Sequence, residues 1–149
     1  MAGIAGGIAW QLAWFLFFGP ALQWLADPGW QSAKLLAVFS VNPAAPRMYY
    51  APCITWVGTT IIGILWSWAY TIIGNSGDRN WWDRGVVFGL IGWMLMVPWL
   101  ELYVHWNLLL EPAALVGLDM VCWAAVLMIV GLTIAGFDEL LKKFGLGEI

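Results

Sequence analysis

The sequence predicts an all-α, integral membrane four-helix bundle, and three observations predict it. Four apolar stretches, roughly Ile4–Ala26, Tyr49–Gly74, Gly85–Trp106 and Pro112–Phe137, each reach the ~20 residues a helix needs to cross hydrocarbon. The chain is 62% hydrophobic and only 10% charged, with a mean hydropathy of +0.81. That is too little polar surface to cover a soluble domain of 149 residues. The connections are short, the longest about 22 residues, so residues 1–149 hold one transmembrane domain and no soluble one.

The first stretch has no Lys or Arg before its apolar run and exceeds the 7–15 residues of a secretory h-region, so it reads as a retained anchor. Gly19-Pro20 is expected to bend or loosen its last turns, and Asp27-Pro28-Gly29 to stop it. The segment Trp30–Ser40 carries one charge, Lys34, and a dense apolar face. It is too short to span, which predicts a helix lying in the interface between spans one and two. Asn42-Pro43 and Pro46 then break it, and Tyr49-Tyr50 mark the next interface.

Span two carries Thr59, Gly63 and Ser67 at four-residue spacing, and span three carries Gly85 and Gly89. Lipid tails do not press helices together as water does, so small residues that let backbones approach matter more. The two stripes are expected to face each other across the second loop, Asn75–Arg84, while Gly3 and Gly7 give span one a weaker version. After span four, Asp138–Ile149 places Leu140, Leu141 and Phe144 opposite Lys142 and Lys143, an amphipathic tail with a weak pull toward anionic headgroups.

Charge excludes more than it specifies. The net charge is −3 and no basic run exists, so nucleic acid is not a partner. Cys53 and Cys122 lack a Cys-x-x-Cys spacing and read as apolar thiols. Arg79, Arg84, Lys142 and Lys143 fall on one side of a four-span topology, against Lys34 and Arg47 on the other. The bias predicts both termini cytoplasmic, as in a prokaryotic inner membrane.

Chemistry is confined to the end of span three and the start of span four. A charge at bilayer depth costs a few kcal/mol or more unless it is paired or hydrated. Glu101 and His105, four apart, share a face; Asn107 and Glu111 occupy the third loop; Asp119 lies two turns into span four. Because antiparallel neighbours bring Asp119 back to their level, Asp119, Glu101, His105 and Asn107 form a candidate polar pocket. Two carboxylates and an imidazole suit a divalent metal, a proton relay or a cationic ligand. The alternative leaves Glu101 and His105 wet among the headgroups and Asp119 in an interhelical hydrogen bond. Glu111, before Pro112, reads as a helix-start residue favoured by the dipole. The single histidine excludes bis-histidine haem, and no His-Glu-x-x-His, Ser-His-Asp, phosphate-loop or dinucleotide pattern occurs. No catalytic residue and no metal ligand is therefore assigned.

Tryptophan occurs 13 times. Trp24, Trp30, Trp81, Trp82 and Trp106 sit where interfacial belts belong, whereas Trp10, Trp14, Trp56, Trp66, Trp68, Trp93, Trp99 and Trp123 fall inside spans. An indole lining suits a lipid, quinone or pigment, although no cofactor is required, and the same residues suit packing within the bundle or against a partner's helices.

Gly85 and Gly89, then Asn107, Pro112, Asp119 and Trp123, form a layout that resembles small four-span bacterial integral membrane proteins of unknown function. Phe18-Gly19-Pro20 followed by Trp24 is similar to the end of their first span. The resemblance covers about half the chain, mainly its C-terminal half, and implies four spans and a role for Asp119, but no activity. With no catalytic constellation, the chain reads as a non-catalytic accessory or scaffolding subunit. Its partners would be membrane lipids, other transmembrane proteins or itself, and it would pack against helices or lipid-like cofactors. The alternative is a small transporter or ion/proton-coupled carrier using Asp119, Glu101 and His105. An enzyme would need more convergent polar groups.

Overall fold

The structure is a computed structural model and describes residues 1–40, 52–73 and 79–146. Among these the protein is all-helical, with α1 (Ala2–Leu25), α2 (Ala33–Ser40), α3 (Pro52–Ile73), α4 (Trp81–Pro98), a π-helix (Trp99–Leu108) continuous with α4, and α5 (Ala113–Lys143). Four helical segments are long and apolar enough to cross a membrane: α1, α3, α4 with its π extension, and α5. They form the four-helix bundle of an integral membrane protein, with α2 as a short helix between the first two spans. Asn42-Pro43, Pro46, Arg47 and Tyr49-Tyr50 lie outside the described residues, as do residues 75–78 of the second loop.

The termini of these helices follow local chemistry. α1 runs unbroken through Pro20 to Leu25, and the turn after it closes when the Gly29 N–H donates to Asp27 Oδ1 at 2.8 Å. α5 extends through the tail to Lys143, so Leu140 and Leu141 belong to the same 31-residue helix. It stops at Gly145, whose φ of 68° is open to glycine without a Cβ penalty. There the Gly145 N–H donates to the Lys142 carbonyl and the Leu146 N–H to the Leu141 carbonyl, the paired bonds of a Schellman cap.

Small residues do set the helix contacts, but with other partners than the sequence suggests. The stripe of span two meets span one. A Cβ on Gly7 would lie 2.7 Å from both the Thr59 carbonyl oxygen and Thr60 Cα, and one on Gly63 would strike the Gly3 and Gly7 backbones. The stripe of span three meets span four. A Cβ on Gly89 would lie 2.7 Å from the Leu127 carbonyl oxygen, and one on Gly131 would strike the backbones of Gly85 and Gly89. The expectation that Thr59–Gly63 and Gly85–Gly89 face each other is thus corrected. Each stripe has used its close approach on the helix beside it in sequence, and Ser67, half-buried, lies past the tight part of the α1–α3 contact. The Trp66 ring instead reaches across from α3 to α4, where it packs on Gly92 and edge-on against Phe88, ring centroids 5.4 Å apart.

α5 is the hub, packed extensively on both α1 and α4. Its Val126, Leu127, Val130 and Ile134 have no exposed surface. Aromatic rings fill the centre: Trp10 meets Trp66 and Trp123 edge-on at 5.7 and 5.9 Å, and Phe18 meets Trp123 at 5.1 Å. Trp66 and Trp123 therefore both pack on Trp10. Trp56, Trp68 and Trp99 are exposed on the outside of the bundle.

Candidate functional site: a buried acidic pocket

The site is built where the helical ladder of span three changes pitch. Pro98 supplies no N–H, and from Trp99 the chain continues as a π-helix, with the Leu109 N–H reaching back five residues to the Val104 carbonyl at 2.8 Å. Glu101 and His105 still share a face of this wider turn. His105 Nδ1 and Glu101 Oε2 are 2.7 Å apart.

Leu110 then takes a left-handed conformation, φ 59°, which costs a non-glycine residue about 1–2 kcal/mol. The reversal brings Glu111 back so that its N–H donates to the His105 carbonyl at 2.9 Å. The Glu111 carboxylate accepts the Ser32 N–H at 2.9 Å, and the Ser32 hydroxyl donates to the Leu109 carbonyl at 2.5 Å. Ser32 Oγ also accepts the Leu35 N–H at 3.0 Å, capping the start of α2. The first and third loops are thereby tied together over the end of the bundle.

Beneath this tie lies a cavity of about 120 Å³. Its polar wall is Glu101, His105, Glu111 and Asp119, and Leu25 and Leu35 contribute to the apolar remainder. That volume holds several waters or one hydrated ion. Among the described residues, no Lys or Arg lines it. Glu101, His105 and Asp119 each offer one ligand atom, all within 4.8 Å of one another. Trp123 lies one turn beyond Asp119 on α5.

Three readings of the sequence change here. Glu101 is not wet among headgroups: its exposure is 0%, and its Oε1 has no hydrogen-bond partner among the described residues. Asn107 is exposed and does not line the cavity, because the π turn carries it outward while His105 faces in. Glu111 is more than a helix-start residue. It is 7% exposed, joins the two loops and faces the same cavity. The sequence signal for Glu111 was its placement beside Pro112, which says where a helix begins but not that Ser32, 79 residues earlier, returns to meet it. Thr59, Gly63, Gly85 and Gly89 lie far from this chemistry in role and serve the helix contacts.

A second polar cluster closes the opposite end of the bundle, where Arg84 at the start of α4 pairs with Glu139 near the end of α5 at 3.0 Å. It fastens the two spans whose small residues already touch. No protein-family model, curated protein or solved structure matches the chain, so the pocket is interpreted from its own geometry.

Proposed function

We propose that this protein is a small ion-coupled membrane carrier that takes a cation into the pocket of Glu101, His105 and Asp119. One observation carries the reading: a fully buried glutamate, one oxygen of which has no partner among the described residues, shares a cavity with two further carboxylates and a single imidazole. Removing a carboxylate from water costs several kcal/mol, which only a nearby positive charge or good donors offset. Among the described residues, three carboxylates against one imidazole leave the cavity short of positive charge, and a cation supplies it.

The pocket lies at the end of the bundle formed by the first and third loops, away from Arg84, Lys142 and Lys143. With the basic residues cytoplasmic, the protein sits in a prokaryotic inner membrane with both termini inside, and the pocket loads from the outer side. Reporter fusions at Met1 and Ile149 test the orientation. Two external readings overturn it.

The functional test is reconstitution of the full chain into liposomes carrying a pH-responsive or a metal-responsive dye. The expected result is proton or divalent-cation flux that Glu101→Gln lowers at least ten-fold and that Leu90→Ala, on the exposed face of α4, leaves unchanged. Flux no faster than in empty liposomes refutes the proposal.

A second reading, the accessory subunit, is supported by α3. This helix packs mainly on α1 and leaves Trp56, Ile61, Leu65 and Trp68 exposed, a face open to lipid or to another protein's helices. Co-purification of a defined partner that Trp68→Ala releases favours that reading over the carrier.

A further inference from the structure

We propose that the cation taken by this pocket is a divalent first-row transition metal, held by one carboxylate oxygen each from Glu101 and Asp119 and one imidazole nitrogen from His105. The inference rests on the pocket being a cation site and names the class of ion.

Two independent features point to it. The first is convergence: three side chains of ligating type, from two different helices, bring their donor atoms within 4.8 Å of one another. Donors around a tetrahedral zinc stand about 3.3 Å apart, given bond lengths near 2.0 Å. Binding would draw the donors together by up to about 1.5 Å, the difference between 4.8 Å and that spacing. The second is the orphaned oxygen. Glu101 is wholly buried, its Oε2 is engaged by His105, and its Oε1 has no hydrogen-bond partner among the described residues. A buried acceptor left unsatisfied carries its desolvation penalty with nothing to offset it. A metal ion satisfies it.

The donor set selects the ion. Two carboxylates alone would suit magnesium or calcium, but an imidazole suits zinc, iron and their neighbours. Soft-ligand ions such as copper(I) are disfavoured, because Cys122, three residues beyond Asp119, points its Sγ at the Phe17 carbonyl, 3.7 Å away. Two carboxylates balance the charge of a divalent ion inside an apolar bundle, which lowers the cost of burial. Three protein ligands leave a coordination position open to the cavity, the pattern of an exchangeable rather than a structural site. Glu111, also on the cavity wall, adds a further carboxylate.

The test is calorimetric titration of the full-length protein in mild detergent with ZnCl2, MnCl2, MgCl2 and CaCl2, with the melting temperature followed in parallel. One zinc per chain is expected, at least ten-fold tighter than magnesium or calcium, with a raised melting temperature. His105→Gln and Asp119→Asn should each weaken zinc at least ten-fold, and Asn107→Ala should not. Cobalt(II) provides a readout independent of stability: its visible spectrum should report nitrogen and oxygen ligands in the wild type and change in His105→Gln. Zinc that binds no tighter than magnesium, or that binds unchanged in both ligand variants, overturns the inference. If zinc fails to bind while Glu101→Gln still abolishes proton flux, the metal is wrong and the carrier stands. If both fail, the cation reading falls with it.

Discussion

Gly7→Ala isolates the backbone contact on which the bundle's first helix pair depends. The added methyl would lie 2.7 Å from the Thr59 carbonyl oxygen and from Thr60 Cα, where ordinary contact begins at 3.4 Å. Both obstacles are backbone, so α1 and α3 must part by the difference, about 0.7 Å. A gap of that size forfeits a quarter to a half of each contact's ~0.1–0.2 kcal/mol, and an interface of some 40 atom pairs loses about 2 kcal/mol. Alanine's better helix propensity returns up to ~1 kcal/mol, leaving a net loss of about 1 kcal/mol. Gly58→Ala is the matched control on α3, since a Cβ there meets nothing within 4 Å and only the propensity gain applies. The two variants should therefore differ by about 2 kcal/mol in opposite directions, roughly the propensity gain plus the net loss. Equilibrium unfolding in mixed micelles, followed by tryptophan fluorescence, measures both. The double variant Gly7→Ala with Gly63→Ala should cost less than the sum, because one separation relieves both methyls. If Gly7→Ala proves as stable as Gly58→Ala, the close approach of α1 and α3 does not contribute as argued.

Two further outcomes follow from the site. His105→Ala leaves a fully buried Glu101 without its one hydrogen-bond partner among the described residues and should lower stability by about 3 kcal/mol in the same micelle assay, against little change for the exposed Asn107→Ala. Equal effects would mean that the Glu101–His105 pair does not hold the pocket. Ser32→Ala removes the α2 cap and the bond to the Leu109 carbonyl, each worth about 1 kcal/mol, so amide exchange at Leu35 and Glu111 should accelerate while Val126 and Val130 stay protected. Uniform acceleration along the chain would instead indicate global destabilisation.

The spans were legible in the sequence because hydrophobicity is local and additive: twenty apolar residues in a row suffice, whatever their neighbours do. The small-residue stripes were legible for a similar reason, since a four-residue spacing puts Thr59 with Gly63 and Gly85 with Gly89 on one face of any helix. The same spacing paired Glu101 with His105 and marked Asp119 as a charge in need of a partner. Which helix meets which face was not legible, because periodicity carries no information about the second body in a contact. Gly63 found Gly3 and Gly7, and Gly89 found Leu127 and Met128, through the arrangement of whole helices around α5. The depth of Glu101 was hidden as well. An α-helical wheel assumes a constant turn, and the π-helix after Pro98 widens it, so faces beyond that point drift from where the wheel puts them. The role of Glu111 needed a left-handed Leu110 and a loop returning from Ser32, two features set by long-range contact. The sequence thus determined the membrane-spanning character, the span count and the identities of the polar groups. Only the tertiary structure decided that three carboxylates and a histidine share one cavity, because burial is a property of the space between helices and not of any one of them.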